Sequence, residues 1–296
     1  MANLKDLKTR INSVKSTQKI TSAMKMVAAA KLRRAQEVAE AGRPYSSRMQ
    51  QVISGLAANA NKSNAPELLV GREDVKKHLL IVVSADKGLC GGFNGSIARQ
   101  TRQEINRLEN EGKSVLVYMV GKKAADNLGR EILNKTFERI ENLQGSNVDY
   151  NKVKGVSEKI LLGFADNQFD QVSIIYNQFV NAITQNVVVA PLIPANVVGE
   201  QENESLVIYD YEPEQNELLE LLLPRNITTQ IFSALLESSA AELAARMTAM
   251  DNATRNAGDM IDSLTLVYNR TRQANITKEL IEICLLYTSD AADEHG

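Results

Sequence analysis

Residues 228–283 read TTQIFSALLESSAAELAARMTAMDNATRNAGDMIDSLTLVYNRTRQANITKELIEI, without a proline and with a single glycine, Gly258. At roughly 1.5 Å per residue a continuous helix of that length would span about 84 Å, whereas the mean globular helix is about 11–12 residues long. Apolar residues recur at 3-4 spacing through Leu236, Ala240, Leu243, Met247, Met250, Ala257, Ile261, Leu264 and Tyr268, interrupted in the same register by Thr254, Thr271 and Asn275. A seam sustained this far requires a partner helix. The stretch predicts a rod.

The partner lies at the other end of the chain. The same spacing runs through Leu4, Leu7, Ile11 and Val14 and resumes at Ala28, Leu32, Ala35 and Ala39. Between these runs the register breaks at Gln18, Thr21 and Lys25, and the apolar face is expected to move to Ile20, Met24 and Val27. Alanines on both seams (Ala28, Ala35, Ala240, Ala257) allow close backbone approach. Periodicity alone is equally compatible with a two-helix hairpin inside a bundle. The long separation between the two seams favours an antiparallel coiled coil with a globular body inserted into it.

Composition narrows the function classes. A net charge of −2 argues against a general nucleic-acid binder. Residues 1–40 are nevertheless basic, with nine Lys/Arg against three Asp/Glu, and 228–283 slightly acidic, with five against seven. A basic helix beside an acidic one is either a solvated face or a surface for an acidic partner. Two cysteines, Cys90 and Cys284, make neither a disulfide framework nor a metal spacing. No 18-residue apolar run occurs and MANLKDLKTRI has no signal-peptide core, so a cytoplasmic protein is expected.

In chain order, the first helix is expected to continue, bent at Gly42-Arg43-Pro44, to about residue 60, followed by a linker from Asn61 to Pro66. Short apolar runs at 78–84, 115–120, 172–176, 186–190 and 206–209 read as five strands. Helical stretches at about 96–111, 122–135 and 153–165 separate the first three. This alternation points to a doubly wound α/β sheet whose last two strands form an antiparallel edge. Pro191, Pro194, Pro213 and Pro224 punctuate the return to the C-terminal helix. The domain limits are 1–62 for the first helix, 63–75 linker, 76–215 α/β body, 216–283 second helix and 284–296 tail.

An enzymatic reading has little to stand on. The segment Ser84-Ala-Asp-Lys-Gly-Leu-Cys-Gly-Gly-Phe-Asn94 lies between strand and helix, where phosphate loops occur. It matches neither G-x-G-x-x-G nor G-x-x-x-x-G-K-[ST]. Cys90 has no histidine near it in sequence, His78 sits on an apolar strand, and Asp86-Lys87 reads as a solvated turn. No catalytic residue, cofactor or metal site is expected.

Four stretches resemble the gamma subunits of rotary ATP synthases: MKMVAAAKLRRA (24–35), SADKGLCGGFN (84–94), Y-x-Y-E-P (Tyr209 to Pro213) and LVYNRTRQANITKELIEI (266–283). They keep the family's order and spacing. The resemblance implies a coiled coil of the N- and C-terminal helices with an inserted Rossmann-like α/β domain. It further implies torque transmission between a proton-driven c ring and a hexamer of alternating alpha and beta subunits. An epsilon-type subunit stands beside the body, and membrane association comes through the complex alone, on the cytoplasmic face of the plasma membrane. Met24 and Lys25 match shaft positions near the acidic lever of a beta subunit, and Cys90 with its loop lies by that lever from below. Arg272, Gln273 and Thr277 match positions that hydrogen-bond a beta subunit. Tyr209, Tyr211 and Glu212 match the foot on the c ring.

The sequence departs from the family in two places. No cysteine pair stands in the middle of the body, as in chloroplast forms, which points to a bacterial form. After Ile283 the family continues with a Val/Ser-Gly-Ala-rich helix end. Here the chain reads CLLYTSDAADEHG, which looks like adapter read-through or a frameshift and is assigned no function. The competing readings are an α/β enzyme with a coiled-coil appendage and a coiled-coil scaffold without a rotary role.

Overall fold

The computed structural model describes residues 4–59, 65–72, 74–143, 148–195 and 215–293. The elements follow in the order α1 (Leu4–Asn59), α2 (Glu67–Val70), β1 (Lys77–Val83), α3 (Phe93–Asn110), β2 (Ser114–Val120), α4 (Lys122–Leu128), a 3-10 turn (Arg130–Lys135), β3 (Thr136–Ile140), α5 (Tyr150–Ala165), β4 (Gln171–Phe179), β5 (Gln185–Ile193) and α6 (Gln215–Asp293). Two compact units divide them, Val27–Thr248 and Met1–Met26 with Ala249–Gly296.

The larger unit is built on a five-stranded sheet of order β3-β2-β1-β4-β5. β1 through β4 pair in parallel and β5 runs antiparallel to β4. The period-2 alternation of each strand sorts its side chains onto two faces. Leu79, Ile81, Val83, Tyr118 and Ile174 face α5 and the first third of α6, where Val156, Ile160, Ile227, Ile231 and Leu235 complete the core. Leu80, Val82, Val117, Met119 and Ile175 face α3 and α4 through Ile97, Ile105, Leu108 and Leu128. β1 is buried on both faces, which is why it reads as one uninterrupted apolar run.

Two expectations change, and one cannot be followed. The helix expected over 122–135 ends at Leu128, because Gly129 takes a positive φ of 78°. A 3-10 turn and β3 follow it. β3 (TFERI) lacks an apolar run because it is an edge strand, half-buried and carrying Glu138 and Arg139. The expected strand at 206–209 lies outside the described residues. Pro224 does not precede the last helix but sits inside α6. Thr228 Oγ1 donates to the Pro224 carbonyl at 2.9 Å, and Thr229 Oγ1 to that of Arg225 at 2.8 Å. Pro44 likewise lies within α1.

Within the larger unit α1 and α6 pack through Leu32 and Ala35 against Ala240, Leu243 and Ala244. Further along α1 and earlier in α6, Arg43 reaches Glu237. The order is antiparallel.

In the smaller unit the two helices are joined by a polar ladder. Lys25 Nζ lies 2.6 Å from Asp251 Oδ1. Thr254 Oγ1 lies 2.8 Å from Thr21 Oγ1. A methyl group placed on Gly258 would meet Gln18 Nε2 at 3.2 Å. Steps of four and three down one helix match three and four up the other, which again makes an antiparallel pair. The seam register therefore does not break at Gln18, Thr21 and Lys25, and the apolar face does not move. Ile20 and Val27 are 59% and 56% exposed while Thr21 is buried. Hydroxyls and charges from the opposite helix satisfy what a single helix could only show as an interruption.

Candidate functional site

In the larger unit, the chemistry-bearing stretch 84–94 leaves the carboxyl end of β1, next to β4. The strand order reverses there, so this is the crevice where open α/β sheets bind ligands. The crevice is filled. Ala85, Cys90 and Phe93 pack with Ala241 of α6, and Phe179 at the end of β4 closes against them. Asn177 Nδ2 donates to the Phe93 carbonyl at 3.4 Å.

The loop is held by its own polar groups. Asn94 accepts from the Ala85 amide at 3.0 Å and donates to Cys90 Sγ at 3.2 Å. Asp86 Oδ1 accepts from the amides of Lys122 and Asn142, each at 3.2 Å, tying the turn to the ends of the neighbouring strands. Asp86 therefore braces the turn. Ser84 Oγ accepts from the Ala124 amide at 2.8 Å, at the start of α4. The approach of β1 to β2 is so close that a Cβ on Gly121 would lie 2.0 Å from the Ser84 carbonyl oxygen, at φ +92°. Only glycine fits there.

From below, α6 contributes a buried pair. Arg246 Nη2 donates to Glu242 Oε1 at 2.6 Å and to the Gly88 carbonyl at 3.3 Å. Burial pushes the Glu242 carboxyl above its ordinary range, with Arg246 opposing the shift. Burial also raises the Cys90 thiol, so it is a poor nucleophile. With Cys90 2% exposed, the loop surface is carried by Lys87 and by Leu89, which is 64% exposed. Leu89 holds a φ of +63°, which is costly for a residue with a side chain. Nothing in the sequence marks Leu89 except the glycines around it.

His78 is structural. Its Nε2 lies 3.0 Å from Ser173 Oγ, and burial pulls its pKa down to about 4.

In the smaller unit Met24 is half-buried, and the neighbouring Lys25 is engaged by Asp251. Arg272, Gln273 and Thr277 are exposed on adjacent turns of α6, with Thr277 Oγ1 donating to the Gln273 carbonyl at 2.9 Å. Along this unit the helices expose large apolar side chains: Ile20 and Met26 on α1, and Leu266, Val267, Ile276, Leu280, Ile281 and Ile283 on α6. At 100° per residue those on α6 cover more than half of the helix circumference, more than one partner helix needs. Tyr209, Tyr211 and Glu212 lie outside the described residues, as does the side chain of Cys284. The backbone of α6 continues past Ile283 to Asp293. Among the described residues no cluster could hold a metal ion, and no helix is long and apolar enough to cross a membrane.

The sequence model of the ATP synthase family matches residues 3–285. The ATP synthase gamma chain of Paracoccus denitrificans (strain Pd 1222) is 51% identical over 284 residues, which cover 96% of this chain and 98% of the relative. That of Pelagibacter ubique (strain HTCC1062) is 51% identical with the same coverage. Among solved structures, the chain is similar to one in the central stalk and c ring of the Tetrahymena thermophila mitochondrial ATP synthase. The identity is 29% and the TM-score 0.59, over 79% of this chain and 99% of that one. A chain of the Euglena gracilis mitochondrial enzyme shares the fold at 19% identity, with a TM-score of 0.67 over 98% of this chain and 95% of that one. Paired terminal helices, an α/β body with a filled crevice and a match along almost the whole length lead to one conclusion: this chain belongs to the family of ATP synthase gamma chains.

Proposed function

We propose that this chain is the central-stalk rotor subunit of a bacterial, proton-translocating ATP synthase, transmitting torque between a membrane c ring and an alpha/beta catalytic hexamer. The observation that carries the reading is the smaller unit's surface. Large apolar residues stand exposed on α1 and α6, where no described residue of this chain covers them and a surrounding sleeve of other subunits would. The polar residues Arg272, Gln273 and Thr277 among them supply directional bonds to that sleeve, and Met24 and Lys25 face a beta subunit. At the loop, Leu89 and Lys87 make the contact with the lever, and Cys90 positions them from beneath. Tyr209, Tyr211 and Glu212 form the foot on the c ring, beside an epsilon-type subunit.

The chain itself carries no catalytic site. The crevice at the strand-order reversal is occupied by Phe93, Phe179 and Ala241, which leaves a nucleotide no place on this sheet. It works as a peripheral subunit at the cytoplasmic face of the cell membrane, held there by its complex. The domain limits that suit this role are a first shaft helix to about residue 62, a connection to 75, a body to 215 and a second shaft helix to 283.

The test is reconstitution with an isolated alpha–beta hexamer, with light scattering for stoichiometry and calorimetry for nucleotide. One chain per hexamer, and no saturable ATP binding by the chain alone, are expected. Failure to bind the hexamer, or tight ATP binding by the isolated chain, overturns the reading.

A further inference from the structure

Away from the crevice, the larger unit has a recess between α1, α5 and α6 that the rotor role does not use. Its volume is about 210 Å³, and its walls include Tyr45, Tyr150, Phe232, Ser233 and Leu236. Tyr150 and Phe232 meet edge to face at 5.4 Å. A smaller hollow of about 110 Å³, lined by Gln36, Glu40 and Arg43, shares Ala39 and Glu237 with it.

Glu237 is the unusual feature. Its side chain is only 15% exposed, and Oε2 is buried without a hydrogen-bond partner among the described residues. The other oxygen lies 3.8 Å from Arg43 Nη2, beyond hydrogen-bond length. A carboxylate taken out of water normally finds donors that replace its solvation. Burial pushes this carboxyl above its ordinary range, opposed by Arg43 and by the Phe179 backbone, so an acid short of positive charge stands in the wall of an aromatic recess. Aromatic faces and a desolvated carboxylate together are what recognises an organic cation.

We propose that this recess binds a small organic ammonium ion with an aromatic or alkyl body, Glu237 serving as its counter-ion. The ammonium group donates to the Glu237 carboxylate, and the apolar body lies among Tyr45, Tyr150 and Phe232. At this volume the body is no larger than one ring with a short chain. The bound molecule touches α1, α5 and α6 together, so occupancy ties three elements of the unit.

The experiment titrates the full chain with 2-phenylethylamine, 2-phenylethanol and 3-phenylpropionate by saturation-transfer NMR. The amine is expected to saturate, the alcohol to bind about tenfold more weakly, as loss of a charge-assisted bond requires, and the acid not to bind. In Glu237→Gln the amine falls to the affinity of the alcohol, and the alcohol is unchanged. Absence of saturable amine binding, equal affinity of amine and alcohol, or an unchanged amine affinity in Glu237→Gln overturns the proposal. If Glu237→Gln does not fold, Ser233→Leu decides, since it fills the recess and keeps the charge. It abolishes amine saturation if the site is this recess, and unchanged binding overturns the assignment.

Discussion

Lys25 Nζ stands 2.6 Å from Asp251 Oδ1, across the polar part of the seam that joins α1 to α6. Asp251 also accepts from Arg255 at 3.1 Å, and its carboxyl is held below the ordinary range, first by the hydrogen bond from Lys25. The lysine is 44% exposed, so it has an internal partner and remains open to an external one.

That double allegiance is separable by exchanging the charges. Lys25→Asp combined with Asp251→Lys rebuilds the internal pair in reverse. The double variant is expected to melt like the parent, because solvent screens an exposed pair of either polarity. If Lys25 meets the acidic lever as proposed, the reconstituted hexamer should nevertheless lose ATPase coupling, because an aspartate would then stand against acidic residues. Full recovery of coupling by the exchange would mean that Lys25 acts only through Asp251.

Burial along α6 sorts the seam residues from the surface ones. Leu243 is 7% exposed, whereas Leu264 is half-buried and Arg272 and Gln273 are exposed. Leu243→Ala should cost about 2–4 kcal/mol in urea unfolding, and Leu264→Ala about half of that. Arg272→Leu with Gln273→Leu should leave unfolding nearly unchanged and weaken turnover or assembly of the hexamer. If the double variant unfolds as readily as Leu243→Ala, those two residues are structural.

Leu89 pairs backbone strain with exposure, a combination that a stability role does not explain. Leu89→Gly is expected to stabilise the chain by about 1 kcal/mol, relieving φ +63°. The same change should lower coupled ATPase activity in the complex by removing the apolar contact. Unaltered coupling beside raised stability would show that the side chain touches nothing.

His78 sets an acid limit for the body. Its folded pKa of about 4 lies below the unfolded value near 6.5, so the unfolded chain binds the extra proton. Stability is therefore full above pH 6.5 and is lost as the pH falls from there towards 4, by about 2 kcal/mol between pH 7 and pH 5. His78→Gln should flatten the difference between unfolding curves at these two pH values. An equally steep pH dependence in the variant would place the titration elsewhere.

What the sequence determined by itself was whatever a single element encodes. The 3-4 spacing from Met250 to Asn275 appears in the structure as alternating burial along α6, and the unbroken apolar run of β1 as a strand covered on both faces. The absence of a phosphate motif was equally legible, as was the resemblance carried by the terminal stretches. Tertiary structure decided whatever depends on a distant partner. Gln18, Thr21 and Lys25 looked like a gap because their complements, Gly258, Thr254 and Asp251, lie more than two hundred residues away. β3 was hidden because an edge strand needs no apolar run, and its neighbour in the sheet supplies the hydrogen bonds. The inward turn of Cys90 and the outward turn of Leu89 follow from Asn94 beneath the loop and Arg246 across it. Spacing along a chain records which residues seek burial, but only packing decides which of them finds a partner.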